Sequence, residues 1–370
     1  MSYLKSILLS IIITTSFSCS ENIISPDNSS INNLMYLGIE GNSSGIWSYK
    51  NLNKLDSLIT EPGVPLSLVL SQDGSKIYSI WKSENVYYLF QINSESLIIE
   101  KSIKIQTLNP FCLISHDYKF IIIYGNSGFE IYNRNDLTLY YIDKNYGNTL
   151  SATLSKSQSF LYLSIWENRK FIGIDIFDLQ TKEIIKSIRP FEITDSRTLQ
   201  DVDIKVDDSD KYLFISAFNW VGGGGFNLFF VVDLNNDLII SEYPTGAFAQ
   251  LTKDNTGRYI YISDPAGFLY QFPRTNQILR YDIQNQKMEV YISLKNLDQI
   301  KANVFTSTYL SVNADNNFLY ICVEGDVKTK NDERVDIIIF NISTHKIEDT
   351  FSFELVNNKL TKRIRSIKIK

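Results

Sequence analysis

The amino-acid sequence of 370 residues predicts an all-β protein, a seven-bladed β-propeller of four-stranded antiparallel blades. Three observations lead to this fold class. The chain is rich in Ile, Tyr, Phe, Val and Thr, which favour strands, and it has no Ala-rich helical stretch. Two short elements recur seven times in matched order. Finally, the alternating segment 363–370 can complete a first unit that lacks one strand.

The first recurring element is a polar turn followed by a short strand. Its copies are SQDGSK-IYSI, SHDYK-FIIIY, SKSQS-FLYLS, DDSDK-YLFIS, DNTGR-YIYIS, ADNN-FLYICV and a degenerate INN-LMYLG at residues 31–38. The second element is a strand, a turn and another strand, as in IFDLQTKEIIKSI at residues 176–188. Each unit therefore has four strands, which in the second unit are PLSLVL, KIYSIW, VYYLFQI and LIIEKSI. A lone four-stranded sheet cannot bury both faces, whereas seven arranged radially can.

Closure of the ring follows from the two ends of this pattern. The first unit begins at Leu34 and lacks its innermost strand, while residues 363–370 form an alternating strand after the seventh unit. We expect the C-terminal strand to complete the first blade. Backbone hydrogen bonds between the termini would then remove two sheet edges that otherwise invite aggregation.

The repeats carry a family resemblance. Residues 161–164 (LYLS) with 176–182 (IFDLQTK), and 260–263 (IYIS) with 281–283 (YDI), follow a Leu-Tyr-Val-Thr-like strand and a Val-x-Asp-x-x-Thr-x-x-Val hairpin. Over residues 34–370 the chain resembles the YVTN family of seven-bladed, WD40-like propellers. The resemblance implies the fold. The family includes surface and bacterial envelope proteins, and its relatives include sugar-lactone hydrolases and subunits of quinone-dependent amine dehydrogenases.

The amino terminus has the layout of an export signal. Residues 1–18 combine one positive charge with an apolar run too short for the ~20 residues of a membrane-spanning helix. Residues 16–19 (SFSC) resemble the lipobox of bacterial lipoproteins, which implies that Cys19 becomes the first mature residue and carries lipid. The other interpretation is an ordinary signal peptide with an incidental cysteine. We divide the chain into a lipoprotein-type signal peptide (1–18), lipidated Cys19 with a flexible tether (19–32) and the propeller domain (33–370).

Charge and anchor together suggest a location and partners. A net charge of −5 provides no global basic field for nucleic acid, so none is expected as a partner. Lipid on Cys19 would hold the exported protein to a membrane of the bacterial cell envelope. Ser20 differs from the Asp that retains some lipoproteins at the inner membrane, which favours the outer membrane.

The longest insertions are expected on one face of the propeller, which carries the loops between second and third strands and between successive blades. They are residues 189–200, 219–226, 264–279, 296–305 and 324–334. Elaborated loops on a rigid scaffold are typical of a binding surface, and the alternative is neutral insertion in exposed loops.

Aromatic side chains in or beside these loops are the candidate ligand-binding residues, since they suit flat apolar faces such as sugars or peptide side chains. For the tryptophans the alternative is packing between blades. The candidates, with one neighbouring arginine, are Trp81, Trp166, Trp220, Phe226, Phe268, Tyr270, Phe272 and Arg274.

Three other motifs favour structural roles. Residues 221–226 (VGGGGF) are flanked by strands, whereas a phosphate cradle requires a following helix, so we expect a hairpin tip. Residues 201–210 (DVDIKVDDSD) alternate as a strand and then form the repeat turn; a calcium site is the alternative. Cys112 and Cys322 lie in apolar runs and are expected to be buried thiols, with a disulfide or metal pair as the alternative.

The histidines disfavour an enzyme of the common types. His116 and His345 are both expected in turns on the face opposite the long loops, so no His-based triad or metal pair is predicted at the channel mouth. We assign no catalytic residue, cofactor or metal. A carboxylate site stays open, with acidic and basic candidates Glu167, Asp264, Glu324, Asp326, Arg169, Arg274 and Arg334.

The leading hypothesis is a lipid-anchored envelope propeller that binds a protein or glycan through its loop face without catalysis of its own. The alternative is an envelope hydrolase or lactonase-like enzyme with a carboxylate site at the channel mouth. A third reading, an electron-transfer subunit, would require a cofactor-bearing partner, because the sequence contains no haem motif.

Overall fold

A computed structural model gives the structure of the protein. It describes residues 34–40, 45–50, 53–58, 63–71, 73–115, 119–144, 146–157, 159–167, 170–190, 198–221, 224–245, 249–264, 277–294, 304–313, 315–326, 333–354 and 363–369. These residues form 28 β-strands, numbered in chain order. Within this part of the chain, no helix has the length and apolar character needed to cross a membrane.

The strands form seven sheets of four, ordered from the inner to the outer strand. Blade 1 is Arg363–Ile369 (β28), Leu34–Glu40 (β1), Gly45–Lys50 (β2) and Asn53–Leu58 (β3). Blade 2 is Val64–Leu70 (β4), Lys76–Ser83 (β5), Val86–Asn93 (β6) and Ile99–Ile105 (β7). Blade 3 is Phe111–Ile114 (β8), Phe120–Gly125 (β9), Gly128–Asn133 (β10) and Leu139–Asp143 (β11).

The remaining blades repeat this order. Blade 4 is Ala152–Leu154 (β12), Phe160–Glu167 (β13), Lys170–Asp178 (β14) and Glu183–Ile188 (β15). Blade 5 is Thr198–Val206 (β16), Tyr212–Val221 (β17), Gly224–Asp233 (β18) and Leu238–Thr245 (β19). Blade 6 is Leu251–Lys253 (β20), Tyr259–Asp264 (β21), Gln277–Asp282 (β22) and Lys287–Ser293 (β23). Blade 7 is Val304–Val312 (β24), Phe318–Asp326 (β25), Glu333–Asn341 (β26) and Lys346–Glu354 (β27).

The predicted seven-bladed propeller is confirmed. Every neighbouring pair of strands within a blade is antiparallel, and inner strands contact the inner strands of adjacent blades, as β16 contacts both β12 and β20. The core lies between blades: Ile176 of blade 4, for example, belongs to one apolar cluster with Ile204 and Phe230 of blade 5. Both faces of a blade are therefore buried, which a lone sheet could not achieve.

Ring closure is also confirmed. Strand β28 is the inner strand of blade 1, and it pairs antiparallel with β1 from Met35↔Ile369 to Glu40↔Arg363. It also contacts the inner strands β4 and β24 on either side. The first and last described strands thus join the ring through a backbone ladder, which leaves no blade without its inner strand.

One face carries turns of constant construction between first and second strands. Five residues separate these strands in each of blades 2 to 7. The side chain that opens the turn accepts the backbone N–H of the residue five positions later, at 2.6 to 3.2 Å. These opening residues are all buried: Ser71, Ser115, Ser155, Asp207, Asp254 and Asn313. Each short polar side chain supplies the acceptor that the turn backbone needs.

The turns between third and outer strands lie on the same face and repeat a second pattern. An Asn or Asp opens each one in blades 2 to 7, as Asp178 does with its Oδ1 accepting the N–H groups of Gln180 and Thr181. Four positions later the backbone is left-handed, with φ of 51° to 61° at Leu97, Leu137, Lys182, Asp237, Gln286 and His345. Backbone bonds such as Leu179 N to Ser159 O join the two kinds of turn in six blades. We call this side the turn face and the opposite side the loop face.

Every outer strand contains a β-bulge. The register shifts once in each of the seven pairings between a third and an outer strand. In blade 4, Ile184 pairs with Phe177 and Lys186 with Ile176, so Ile185 is the extra residue. A bulge twists the exposed edge and interrupts its hydrogen-bonding row, which protects the seven outer edges from pairing with other chains.

The described residues of two predicted insertions lie in strands. Residues 219–226 lie mainly in β17 and β18, which pair as far as Val221↔Gly224, and residues 324–334 similarly extend β25 and β26. Strands β17 and β18 have 10 residues each, compared with 6 in β9 and β10. At ~3.3 Å per residue the longer hairpin reaches ~13 Å further. The alternating sequence predicts a strand for residues 201–206, and residues 198–200 are expected in the preceding loop. In the structure, residues 198–206 all belong to β16.

Candidate functional site: the loop face and channel mouth

Connections on the loop face vary widely in length, whereas the turns opposite are two to five residues long. Between second and third strands they range from two residues in blades 2 to 5 to twelve in blade 6, between Asp264 and Gln277. Between blades they range from five residues to the ten that separate Ser293 from Val304. These strand boundaries agree with the prediction that the turns on the opposite face stay short, since none there exceeds five residues.

A fully buried glutamate holds the connection from blade 2 to blade 3. Glu130, on β10, is 1% exposed. Its Oε1 accepts the Gln106 N–H at 2.9 Å, the Thr107 N–H at 2.6 Å and the Thr107 hydroxyl at 2.7 Å. The Tyr132 hydroxyl donates to Oε2, and burial together with this bond raises the pKa of Tyr132. The four donors compensate the cost of burying the carboxylate.

The equivalent carboxylate in blade 4 holds two further segments. Asp175 on β14 is 7% exposed and accepts the Tyr146 hydroxyl at 2.8 Å, from the connection entering blade 4. Its other oxygen accepts the Ser187 hydroxyl at 2.5 Å and the Arg189 guanidinium at 3.1 Å, where the chain leaves blade 4. Burial, followed by the Asp175 charge, raises the pKa of Tyr146. Both carboxylates therefore accept hydrogen bonds from residues of the propeller itself, and these bonds fix the conformation of the connections.

The short connection at 106–110 presents two apolar side chains. The Leu108 N–H donates to Ser127 Oγ at 3.0 Å, and the Leu108 carbonyl accepts the Asn126 N–H at 2.8 Å. A Cβ at Gly125 would lie 2.3 Å from that carbonyl, so the close approach requires glycine. Leu108 is 51% exposed and Phe111, at the start of β8, is 41% exposed. A rigid loop thus holds an apolar pair in solvent at the mouth.

Phe111 rests on an aromatic support. Its ring stacks on Tyr124 with centroids 5.7 Å apart and planes inclined by 24°. Tyr124 is buried, which raises the pKa of its hydroxyl, and the nearby Asp203 charge raises it further. The sequence analysis did not select Phe111 or Leu108. Phe111 lies in the same apolar run as Cys112, and only its exposure distinguishes it from the buried aromatic residues.

The channel wall is completed by side chains from neighbouring blades. The inner strands expose an unpaired edge to the channel, and in three places a side chain of one blade accepts a backbone N–H of the next. These bonds join Cys112 N to Ser67 Oγ, Ile204 N to Ser151 Oγ, and Leu251 N to Asp203 Oδ2, at 2.8 to 3.2 Å. Satisfying these buried donors stabilises the ring around its axis.

Of the predicted ligand-binding residues, Trp81 is a correction. It is 1% exposed, belongs to the apolar cluster between blades 1 and 2, and meets Phe90 edge-on with centroids 5.9 Å apart. Trp81 therefore packs between blades, which was the alternative to ligand binding. Trp166 is partly buried against Phe171, and its Nε1 donates to Ser164 Oγ at 3.2 Å.

The other candidates are only partly described. Trp220 and Phe226 lie on paired strands β17 and β18, where Trp220 pairs with Gly225 and Asn219 with Phe226. Phe268, Tyr270, Phe272 and Arg274 lie outside the described residues, as do Cys19 and His116. The ligand role of these residues stays a prediction. His345 lies in the turn of blade 7 on the turn face, as predicted.

The motifs assigned to structure keep that assignment where they are described. Val206 ends β16 and Asp207 opens the following turn as its buried cap, so this acidic run is a strand and a turn. Cys112 and Cys322 are buried and neither forms a disulfide. Among the described side chains, no group of three or more His, Cys, Asp or Glu residues is arranged to hold a metal ion.

No protein-family model and no curated protein sequence matches the chain. Solved structures share its fold. A putative 6-phosphogluconolactonase from Bacteroides uniformis has a TM-score of 0.58 at 11% identity, over 92% of this chain and 100% of that one. The Cps50 (Swd1) β-propeller domain of Myceliophteria thermophila has a TM-score of 0.56 at 9% identity, over 77% and 86%. Hydrazine synthase of Kuenenia stuttgartiensis has a TM-score of 0.55 at 15% identity, over 74% and 76%. At these identities the likeness establishes the propeller fold alone.

Proposed function

We propose that the protein is a lipid-anchored propeller of the bacterial cell envelope, a YVTN-type binding module that engages a protein or glycan through its loop face. The observation that carries the proposal is the contrast between the faces. On the turn face the described connections are two to five residues long, and those between first and second strands are all five, whereas on the loop face they range from two to twelve residues. Loops that are varied yet held rigid by the scaffold are what a recognition surface requires.

Leu108 and Phe111 supply the apolar part of this surface. Large exposed side chains on a loop fixed by Glu130 lose little conformational entropy when a partner covers them. The hydrolase alternative lacks a comparable observation. Glu130 and Asp175 accept hydrogen bonds from neighbouring residues of the propeller. Asp203 likewise accepts the Leu251 N–H and forms an ion pair with Lys205.

Photo-crosslinking in intact envelopes tests the binding proposal. A photoreactive amino acid replaces Phe111 on the loop face, and in a matched control it replaces Leu238, which is exposed on an outer strand. We expect a discrete adduct at position 111 that position 238 does not give. A protein partner gives a protease-sensitive adduct and a glycan partner a glycosidase-sensitive one. Identical adducts at both positions, or none at 111, would contradict the proposal.

The anchor is tested by metabolic labelling with an alkyne fatty acid. The wild-type chain should incorporate the label, Cys19→Ala should lose it, and Cys112→Ser should retain it because Cys112 is buried in the domain. Fractionation of the labelled cells then reports which membrane carries the protein, with the outer membrane expected. Label in Cys19→Ala at the wild-type level would contradict lipidation at Cys19.

A further inference from the structure

The chain enters the described fold on the turn face. Leu34 begins β1, the second strand of blade 1, and pairs with Lys50 at the end of β2. The connection from Lys50 to Asn53 is a turn between third and outer strands, and such turns define the turn face. Fourteen residues separate Cys19 from Leu34, a span of at most ~50 Å. A lipid on Cys19 would therefore be tethered to the propeller at its turn face.

Exposed apolar side chains are concentrated near the same face. Seven of the nine large apolar residues that are exposed in the described part of the chain lie on or beside outer strands of blades 2 to 6. We call these seven the apolar rim: Ile98, Leu139, Ile184, Ile185, Leu238, Ile240 and Val290, from 41% to 63% exposed. The other two are Leu108 and Phe111 on the loop face.

The rim lies close to the turns. Ile98 precedes β7 by one residue, and Leu139, Ile184 and Leu238 lie within two residues of the ends of β11, β15 and β19 that adjoin the turn face. Isolated exposed apolar residues are ordinary on protein surfaces. A recurrence over five successive blades, from one residue before the outer strand to its fourth residue, is the feature that requires an explanation.

The outer strands are poorly suited to pairing with another chain. Ile185 and Ile240 are themselves the extra residues of the bulges in β15 and β19, where the hydrogen-bonding row is interrupted. The rim therefore offers apolar side chains without a continuous edge for strand addition. A lipid surface accepts apolar side chains and requires no backbone ladder, so it fits the rim better than a further strand does.

Charged side chains around the rim are mixed in sign. Lys182 extends its ammonium group over the Tyr140 ring at 4.0 Å, and Lys186 pairs with Asp237 at 2.7 Å. Glu183 lies beside Lys182 in the same turn. Long lysine stems suit the boundary between lipid and water, while the accompanying acids leave no concentrated field for anionic lipid. The rim should consequently bind zwitterionic bilayers.

We propose that the apolar rim rests on the bilayer surface to which the lipid on Cys19 holds the protein. The turn face then lies towards the membrane and the loop face points away from it, towards its partner. This orientation rests on the proposed lipid anchor for residence at the membrane. The contact between the domain and the bilayer surface depends separately on the apolar rim.

Spin labelling of the mature lipidated protein in phosphatidylcholine vesicles tests the orientation. Single cysteines are introduced by Ile185→Cys and Leu238→Cys on the rim and by Leu108→Cys on the loop face, all at exposed sites, while Cys112 and Cys322 are buried. Collision with oxygen, which is enriched in lipid, is compared with collision with a water-soluble nickel chelate. We expect a several-fold higher oxygen-to-nickel ratio at both rim positions than at position 108.

Two controls separate this inference from the anchor. Intact mass measured on the same sample reports lipidation, so an unlipidated chain would refute the anchor independently of the labels. The labelled chain is then added to preformed vesicles, where rim-driven binding should still raise the rim ratios. Equal ratios at positions 108, 185 and 238 in membrane-bound protein would overturn the orientation. Immobilised rim labels without vesicles would also overturn it, because a second copy of the chain would then cover the rim.

Discussion

The two faces of this propeller are stabilised in different ways. On the turn face, short polar side chains cap five-residue turns at the same position in six blades, and a backbone bond joins each capped turn to its neighbour. On the loop face, the order of the described connections depends on individual buried acids, Glu130 and Asp175, with different donors in each blade. The capped turn therefore recurs from blade to blade, whereas each buried acid stabilises one particular connection.

This difference indicates where the molecule can vary. The cap of such a turn comes from its own opening residue and requires nothing outside the blade, so blades 2 to 7 can all use it. A connection held by an acid of the next blade depends on particular partners, so its length and sequence can change blade by blade. Constant turns therefore support the ring, and variable connections are free to form a recognition surface.

Deletion of residues 363–370 should produce the largest effect, because it removes β28 and with it the ring closure common to both faces. Blade 1 would lose its inner strand, and β4 and β24 would lose their neighbour. We expect Tm to fall by more than ~10 °C, with turn-face and loop-face amides losing protection from hydrogen exchange together. A Gly-Ser extension after Lys370 is the control and should leave Tm unchanged. A local loss of protection confined to blade 1 would show that the ring does not need closure.

Glu130→Gln should have the next largest effect and should separate the faces. The amide replaces a buried carboxylate that accepts four hydrogen bonds, at a cost of ~2–3 kcal/mol in the free energy of unfolding. Faster hydrogen exchange should appear in residues 106–110, while the capped turns keep their protection. Asp175→Asn is the matched variant in blade 4 and should loosen the Tyr146 connection instead. Uniform loosening of both faces would contradict local clamping.

The repeats made the fold predictable from sequence. Polar residues at constant spacing, such as Ser155 and Asp207 before their strands, correspond to the buried caps, and the caps set the turn length. The unpaired segment at 363–370 was sufficient to predict closure, because a strand without a partner is costly at an edge. The repeated polar turns and the C-terminal strand are short sequence patterns, so they can be recognised without knowledge of the structure.

The candidate site was less predictable, because burial in a propeller depends on neighbouring blades. Trp81 ends a strand near the loop face, as expected, but packing between blades 1 and 2 leaves it 1% exposed. Phe111 occupies a similar apolar run and is 41% exposed. Glu130 lies in an ordinary strand sequence, and its role arises from Thr107 in the preceding connection. No spacing in the sequence indicates that Glu130 contacts Thr107, or that Trp81 is buried while Phe111 is exposed.

Two aspartates of one turn provide the smallest and most selective comparison, on the turn face. Burial works to raise the pKa of Asp208, but Lys156 at 2.6 Å and Lys253 at 2.7 Å outweigh it, and the pKa lies below its ordinary value. Burial also acts on Asp210, whose donors Ser157 and Tyr162 are 3.3 Å away, and there the pKa lies above its ordinary value. The two carboxylates should therefore affect stability with opposite sign.

The lowered pKa of Asp208 means that its charge stabilises the fold above the unfolded value of ~3.9, and that this contribution is lost as pH falls through the folded value. Asp208→Asn should thus cost ~1 kcal/mol at pH 7 and less at pH 2. The raised pKa of Asp210 favours the protonated form, so its contribution is present below ~3.9 and is lost as pH rises through the folded value. Asp210→Asn, at a left-handed position that Asn adopts readily, should be neutral or slightly stabilising at pH 7. Urea unfolding of both variants at pH 7 and pH 2 measures the difference, and a loss of equal size in both at pH 7 would contradict the assigned charges.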